Sequence, residues 1–127
     1  MAPQIALRFD NEFAPHIAAK IASLYNAGDL ETEVLPREGI GRPTRVWIGG
    51  RPLEAMRGYP HRLNVYLTWQ DDAVIELVTD DRQQEFARYL ESLPHRMGMW
   101  QQVRRIDFGS RTQAEVAILI SDLDFDA

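Results

Sequence analysis

Residues 62–79 decide the fold, and they read RLNVYLTW (62–69), QDD (70–72) and AVIELVT (73–79). Two runs rich in β-branched, aromatic and leucine residues flank a short polar break, which is the pattern of a β-hairpin. The segment therefore predicts two antiparallel strands at the centre of a sheet.

The predicted hairpin has two different faces, because successive residues of a strand point to opposite sides of the sheet. One face is fully apolar and should contact helices. The other is mixed, since it carries Tyr66, Thr68, Val74 and Val78, which are too apolar for a fully solvated surface. Either the rest of the chain covers this second face, or a protein partner or a second copy of the chain does. The latter hypothesis makes these four residues candidate interface residues.

Around this segment the chain alternates short strand patterns with two amphipathic helix patterns. The first helix is expected over residues 12–27, and the second runs from Asp80 to Pro94, because proline stops helices. Residues 112–115 have the form of a capping box, but the apolar run that follows favours a strand. Strands are therefore expected at 4–9, 31–35, 44–48, 101–108 and 114–121.

These elements predict an α+β fold in a single domain over residues 1–127. Its sheet should be mainly antiparallel, with two helices packed on one face. The element order is compatible with a ferredoxin-like arrangement that carries extra strands. Residues 122–127 are expected to form an acidic C-terminal tail.

The composition excludes several classes of protein. The absence of cysteine rules out disulfides, thiolate nucleophiles and thiolate metal sites. A net charge of −5 argues against a nucleic-acid partner. No secretory signal is visible, and no run reaches the roughly 18 apolar residues that would cross a membrane. A cytoplasmic protein without a membrane partner is expected.

Residues 36–62 are the strongest candidate for ligand binding, because they hold six arginines against two glutamates. Guanidinium groups pair well with the oxygens of phosphates and carboxylates. The same arginines could instead pair with acidic segments of the chain, as surface ion pairs commonly do. A small anionic ligand would be held by Arg42, Arg45, Arg51 and Arg57, with His61 as the nearby titrating group.

The acidic tail resembles the start of a calcium loop at residues 122–126. It lacks the glycine and the glutamate that such a loop needs at its sixth and twelfth positions, so no metal is expected there. An extended tail would instead offer Leu123 and Phe125 as alternating apolar contacts to a partner. No group of residues has a convincing catalytic arrangement, and no cofactor is expected.

Two functional hypotheses follow. The preferred one is a small non-enzymatic protein-interaction domain of the accessory, adaptor or immunity type, acting in a homo-oligomer or a hetero-complex. The alternative is a small enzyme or ligand-binding domain that holds a phosphate or carboxylate on residues 36–62.

Overall fold

The fold is α+β, as the sequence predicts. The computed structural model describes residues 1–24, 30–38, 42–50, 63–80, 84–103 and 114–120. Its elements are α1 (Pro3–Arg8), α2 (Ala14–Ser23), β1 (Leu30–Leu35), β2 (Arg45–Gly50), β3 (Leu63–Trp69), α3 (Asp71–Thr79), α4 (Gln84–Val103) and β4 (Ala114–Ile120).

The strands form one four-stranded sheet in the order β1-β2-β3-β4. The pairs β1–β2 and β2–β3 are antiparallel, and β3–β4 is parallel. Parallel neighbours need a long crossover, and α3 and α4 lie in the connection between these two strands. The described element order therefore differs from the β-α-β-β-α-β order of a ferredoxin-like fold.

The predicted hairpin is wrong in its second half, because residues 71–79 form helix α3. Its buried residues are Ala73, Val74, Leu77 and Val78, which recur at the spacing of a helix stripe. Asp71 and Asp72 lie in its first turn, where acidic side chains interact favourably with the helix dipole. Val74 and Val78 are therefore core residues of a helix and do not share a sheet face with Tyr66 and Thr68.

The strand predicted at residues 4–9 is also wrong, because a helical path runs from Pro3 into α2. The join is a π-helical turn over Phe9–Phe13, in which the N–H of Ala14 donates to the carbonyl of Phe9. Pro15 follows at the start of α2 and brings no N–H of its own. The helix predicted at residues 12–27 is confirmed as α2, and Phe13, Ile17 and Ile21 are buried along one stripe.

The prediction that the second helix ends at Pro94 is wrong, because helix α4 continues to Val103. The apolar stripe of its first half extends past the proline through Met97 and Trp100, which are both buried. Packing of this longer stripe stabilises the helix despite the hydrogen bond that a proline removes. The strand predicted at 101–108 is therefore helical where it is described. The strand predicted at 114–121 is confirmed as β4.

The core lies between the helices and one face of the sheet. Trp69 is fully buried there, and its Nε1 donates to the hydroxyl of Tyr89 on α4 at 3.1 Å. The ring of Phe9 meets Trp69 edge-on, with 5.5 Å between the ring centroids. The sheet residues buried in the core are Leu30, Val46, Ile48, Val65, Leu67, Trp69, Ile118 and Ile120.

No described helix is long and apolar enough to cross a membrane.

Candidate interaction surface

The side of the sheet that faces away from the core is more exposed to solvent, and we call it the open face. Among the open-face residues whose burial the structure describes, Gly49 is buried and the others are partly or fully exposed. Leu119 is 42% exposed although it is a large apolar residue. Two predicted interface residues, Tyr66 and Thr68, do lie on this face. It consists of Glu31, Glu33, Leu35, Arg45, Trp47, Gly49, Asn64, Tyr66, Thr68, Ala117 and Leu119.

Two aromatic side chains lie side by side at the centre of the open face. Trp47 on β2 and Tyr66 on β3 are direct cross-strand partners in the two inner strands. The indole Nε1 of Trp47 donates to Oδ1 of Asn64 at 3.0 Å. The guanidinium carbon of Arg45 lies 5.2 Å from the centroid of the Tyr66 ring, which is cation–π geometry. These contacts hold both rings in defined positions at the surface.

The indole of Trp47 lies over the backbone of Gly49. A Cβ atom at residue 49 would overlap the six-membered ring of the indole. Both residues lie on the open face at alternate positions of β2. Glycine in a strand interior often marks such a close approach, and here it lets the tryptophan lie flat on the sheet.

Substituting Gly49 with alanine should displace the indole of Trp47 while the domain remains folded. The new methyl group occupies the space of the ring, so we expect a large shift of the Trp47 indole N–H signal in a ¹⁵N–¹H NMR spectrum. The free energy of unfolding should fall by less than about 2 kcal/mol, because the half-buried indole can move toward solvent, whereas overpacking a closed core costs about 1–3 kcal/mol.

Gly98 is the matched control, because a Cβ atom there would meet nothing within 4 Å. Gly98→Ala should leave the Trp47 signal unchanged and stabilise α4 by about 0.5–1 kcal/mol. An unchanged indole signal in Gly49→Ala would contradict the stacked position of Trp47.

A groove of about 940 Å³ opens at one end of this face. Thr68 and Leu119 belong to both surfaces, so the groove and the open face are continuous. The groove is lined by Met1, Pro3, Ala6, Leu7, Asp10, Arg37, Pro43, Thr68, Trp69, Gln70, Asp71, Asp72 and Leu119.

A polar network holds Arg37 and Asp10 in the wall of the groove. The carboxylate of Asp10 accepts hydrogen bonds from the hydroxyl of Thr44 and from the backbone N–H of Arg37. The guanidinium of Arg37 donates to Asp71 at 3.1 Å. Its Nε is buried and has no hydrogen-bond partner. Arg37 therefore fastens the segment after β1 to the first turn of α3.

The predicted anion-binding residues take part in separate contacts where they are described. Arg42 pairs with Glu38 at 3.3 Å, and both side chains are more than 70% exposed. Arg45 lies over Tyr66. The other three, Arg51, Arg57 and His61, lie outside the described residues, as do the predicted contacts Leu123 and Phe125. Anion binding on residues 36–62 stays a prediction.

Sequence reasoning missed Trp47, Gly49 and the groove. Trp47 lies beside Tyr66 only because β2 pairs with β3, whereas the predicted hairpin gave β3 a partner within residues 73–79. The alternation of Arg45, Trp47 and Gly49 was the available signal for a shared face. Within the described parts of the chain, no three His, Asp or Glu side chains gather in a way that could hold a metal ion.

A family model described as "Domain of unknown function (DUF5594)" matches residues 1–126. The chain belongs to the DUF5594 family. The solution NMR structure of BPSL1050 from B. pseudomallei is similar to this DUF5594 chain, with 46% sequence identity and a TM-score of 0.78. The match covers 100% of this chain and 97% of that one. A search of curated proteins found no match.

Proposed function

We propose that this DUF5594 domain is a non-enzymatic protein-interaction domain whose partner covers the open face. The observation that carries the proposal is the Trp47–Tyr66 pair at the centre of that face, with Arg45 against the tyrosine ring. The few residues that dominate the binding energy of a protein interface are enriched in tryptophan, tyrosine and arginine, and they cluster near the interface centre. The domain would act as an accessory or adaptor subunit in the cytoplasm.

The size of the open face favours a partner that extends beyond it. Four strands about 4.8 Å apart and about 20 Å long give a footprint of roughly 400 Å². A stable interface buries about 800 Å² of accessible surface on each side. A partner that covers only the open face would therefore bind weakly, and one that also enters the adjoining groove could form a lasting complex.

Charge favours a different protein over a second copy of the chain. The net charge is −5, so two copies repel one another at long range. The groove adds to this, because Asp10, Asp71 and Asp72 line it. A partner with basic surface would meet no such repulsion and would associate faster.

Affinity capture from a native cell extract, quantified by mass spectrometry, tests the proposal. The wild-type domain should retain a specific protein, and Trp47→Ala should reduce its recovery by about tenfold or more, as expected for a central interface residue. Val103→Ala is the matched control, because Val103 is 72% exposed on α4 and lies outside the open face. That variant should retain the protein fully.

Sedimentation of the same variants separates the two kinds of partner. We expect the wild-type domain to sediment as a monomer. If the wild-type domain is a dimer and Trp47→Ala is a monomer, the partner on the open face is a second copy of the chain and not a different protein. Equal recovery of all proteins by wild type and Trp47→Ala, with circular dichroism showing both folded, would contradict the open face as the binding surface.

A further inference from the structure

We infer that the groove beside the open face binds a segment of the partner that combines basic and apolar side chains. This inference rests on the proposed function for the existence of a protein partner, and it specifies the chemistry of that partner. Apolar exposure, excess negative charge and continuity with the open face support it independently.

The apolar wall of the groove gathers most of the large apolar side chains that the described surface exposes. Met1, Leu7 and Leu119 are 40%, 62% and 42% exposed, and all three line the groove. Val103 is the fourth such residue of the described chain. Single exposed apolar residues are normal on a protein surface, whereas their convergence in one concave site indicates contact with another molecule.

The polar wall of the groove is negatively charged. The carboxylates of Asp10, Asp71 and Asp72 lie along it with the guanidinium of Arg37. That guanidinium donates to Asp71, and its positive charge offsets the charge of one of the three carboxylates. Even with the α-amino group of Met1 counted, three carboxylates meet two cations. A lysine or arginine of the partner is therefore favoured here, and a phosphate or carboxylate is disfavoured.

The position of the groove shows how a partner segment would reach it. A chain that lies across the end of the open face passes Thr68 and Leu119 and then enters the groove. The volume of about 940 Å³ is at the upper end of the range for ligand pockets, which leaves room for several side chains. An apolar side chain would lie between Leu7 and Leu119, and a basic one would approach Asp72.

Three short capped peptides serve as probes in NMR titrations of the ¹⁵N-labelled domain. One alternates leucine and lysine, the second leucine and glutamate, and the third serine and lysine. We expect the leucine–lysine peptide to shift the backbone signals of Leu7, Asp72 and Leu119. It should bind at least about tenfold more tightly than the other two, because it alone matches both walls. Its affinity should also fall as salt is added.

Matched variants locate the binding. Leu7→Ser and Asp72→Asn should each weaken the leucine–lysine peptide several-fold. Val103→Ser and Glu91→Gln change exposed residues of α4 in the same ways and should have no effect. Equal affinity for the three peptides, or equal effects of Leu7→Ser and Val103→Ser, would overturn the inference.

The two proposals can fail separately. Peptide binding in the groove without any captured protein would leave the inference standing and count against the proposed function. Capture of a protein that depends on Trp47, together with equal binding of the three peptides, would support the proposed function and overturn the inference about the groove. Groove signals that shift with protein concentration before any peptide is added would assign the groove to a second copy and overturn the inference.

Discussion

Replacing Trp69 with alanine should lower the free energy of unfolding by about 3–5 kcal/mol, as truncation of a buried tryptophan generally does. The side chain is 0% exposed and joins three parts of the fold. It belongs to β3, donates to the hydroxyl of Tyr89 on α4, and meets Phe9 near the N-terminal helix. The substitution leaves a large cavity and also removes the indole N–H that donates a hydrogen bond to the hydroxyl of Tyr89. Urea unfolding followed by circular dichroism measures the loss.

Trp47→Ala is the matched control, because it makes the same truncation on the opposite side of the sheet. Trp47 is only half-buried, so its removal leaves no enclosed cavity, and we expect it to cost less than about 2 kcal/mol. Equal losses for the two variants would contradict the assignment of a core face and an open face. A small loss for Trp69→Ala would contradict its burial between β3, α4 and Phe9.

Placing aspartate at residue 74 should destabilise the domain by about 4 kcal/mol or more, because an unpaired charge would then replace a buried valine. Val74 is 2% exposed on α3 and faces the core with Leu77 and Val78. The neighbouring residue Ile75 is only partly buried. Ile75→Asp should therefore cost clearly less, about 1–2 kcal/mol, because the new carboxylate at this partly buried position can stay in contact with water. Thermal and urea unfolding of both variants would measure the difference.

This pair of variants distinguishes the helix from the hairpin that the sequence pattern suggests. In a strand, Ile75 and Leu77 would share one face and Val74 and Val78 the other. The apolar face would then be the one with Ile75, and Ile75→Asp would be the more damaging change. That order of effects would contradict helix α3.

Two segments show why the sequence alone predicts the class of the fold but not its path. The run AVIELVT (73–79) is short, apolar and β-branched, so composition favours a strand there. Its burial pattern is nevertheless that of a helix, and packing against the core overrides propensity. Residues 4–9 are similar, since α1 buries none of its own residues and forms as the start of a longer helical segment. By contrast, Phe13, Ile17 and Ile21 lie on a stripe with one clear period, and that helix was predicted.

The candidate surface was predictable only in part, for a related reason. The alternation within β3 placed Tyr66 and Thr68 on a mixed face, and both lie on the open face. Trp47 and Leu119 join them through pairing with strands far away in the sequence, which local patterns do not reveal. The groove depends on the same long-range contacts, because α1, α3 and the ends of β3 and β4 all contribute to it.

The most direct test of the open face as the binding surface is the footprint of the captured partner on the ¹⁵N-labelled domain. We expect the partner to perturb the amides of β2 and β3 around Trp47 and Tyr66, together with the Trp47 indole signal. The exposed side of α4 around Arg88, Glu91 and His95 should remain unperturbed. A footprint confined to that side of α4, with the Trp47 and Tyr66 signals unchanged, would contradict the proposed function.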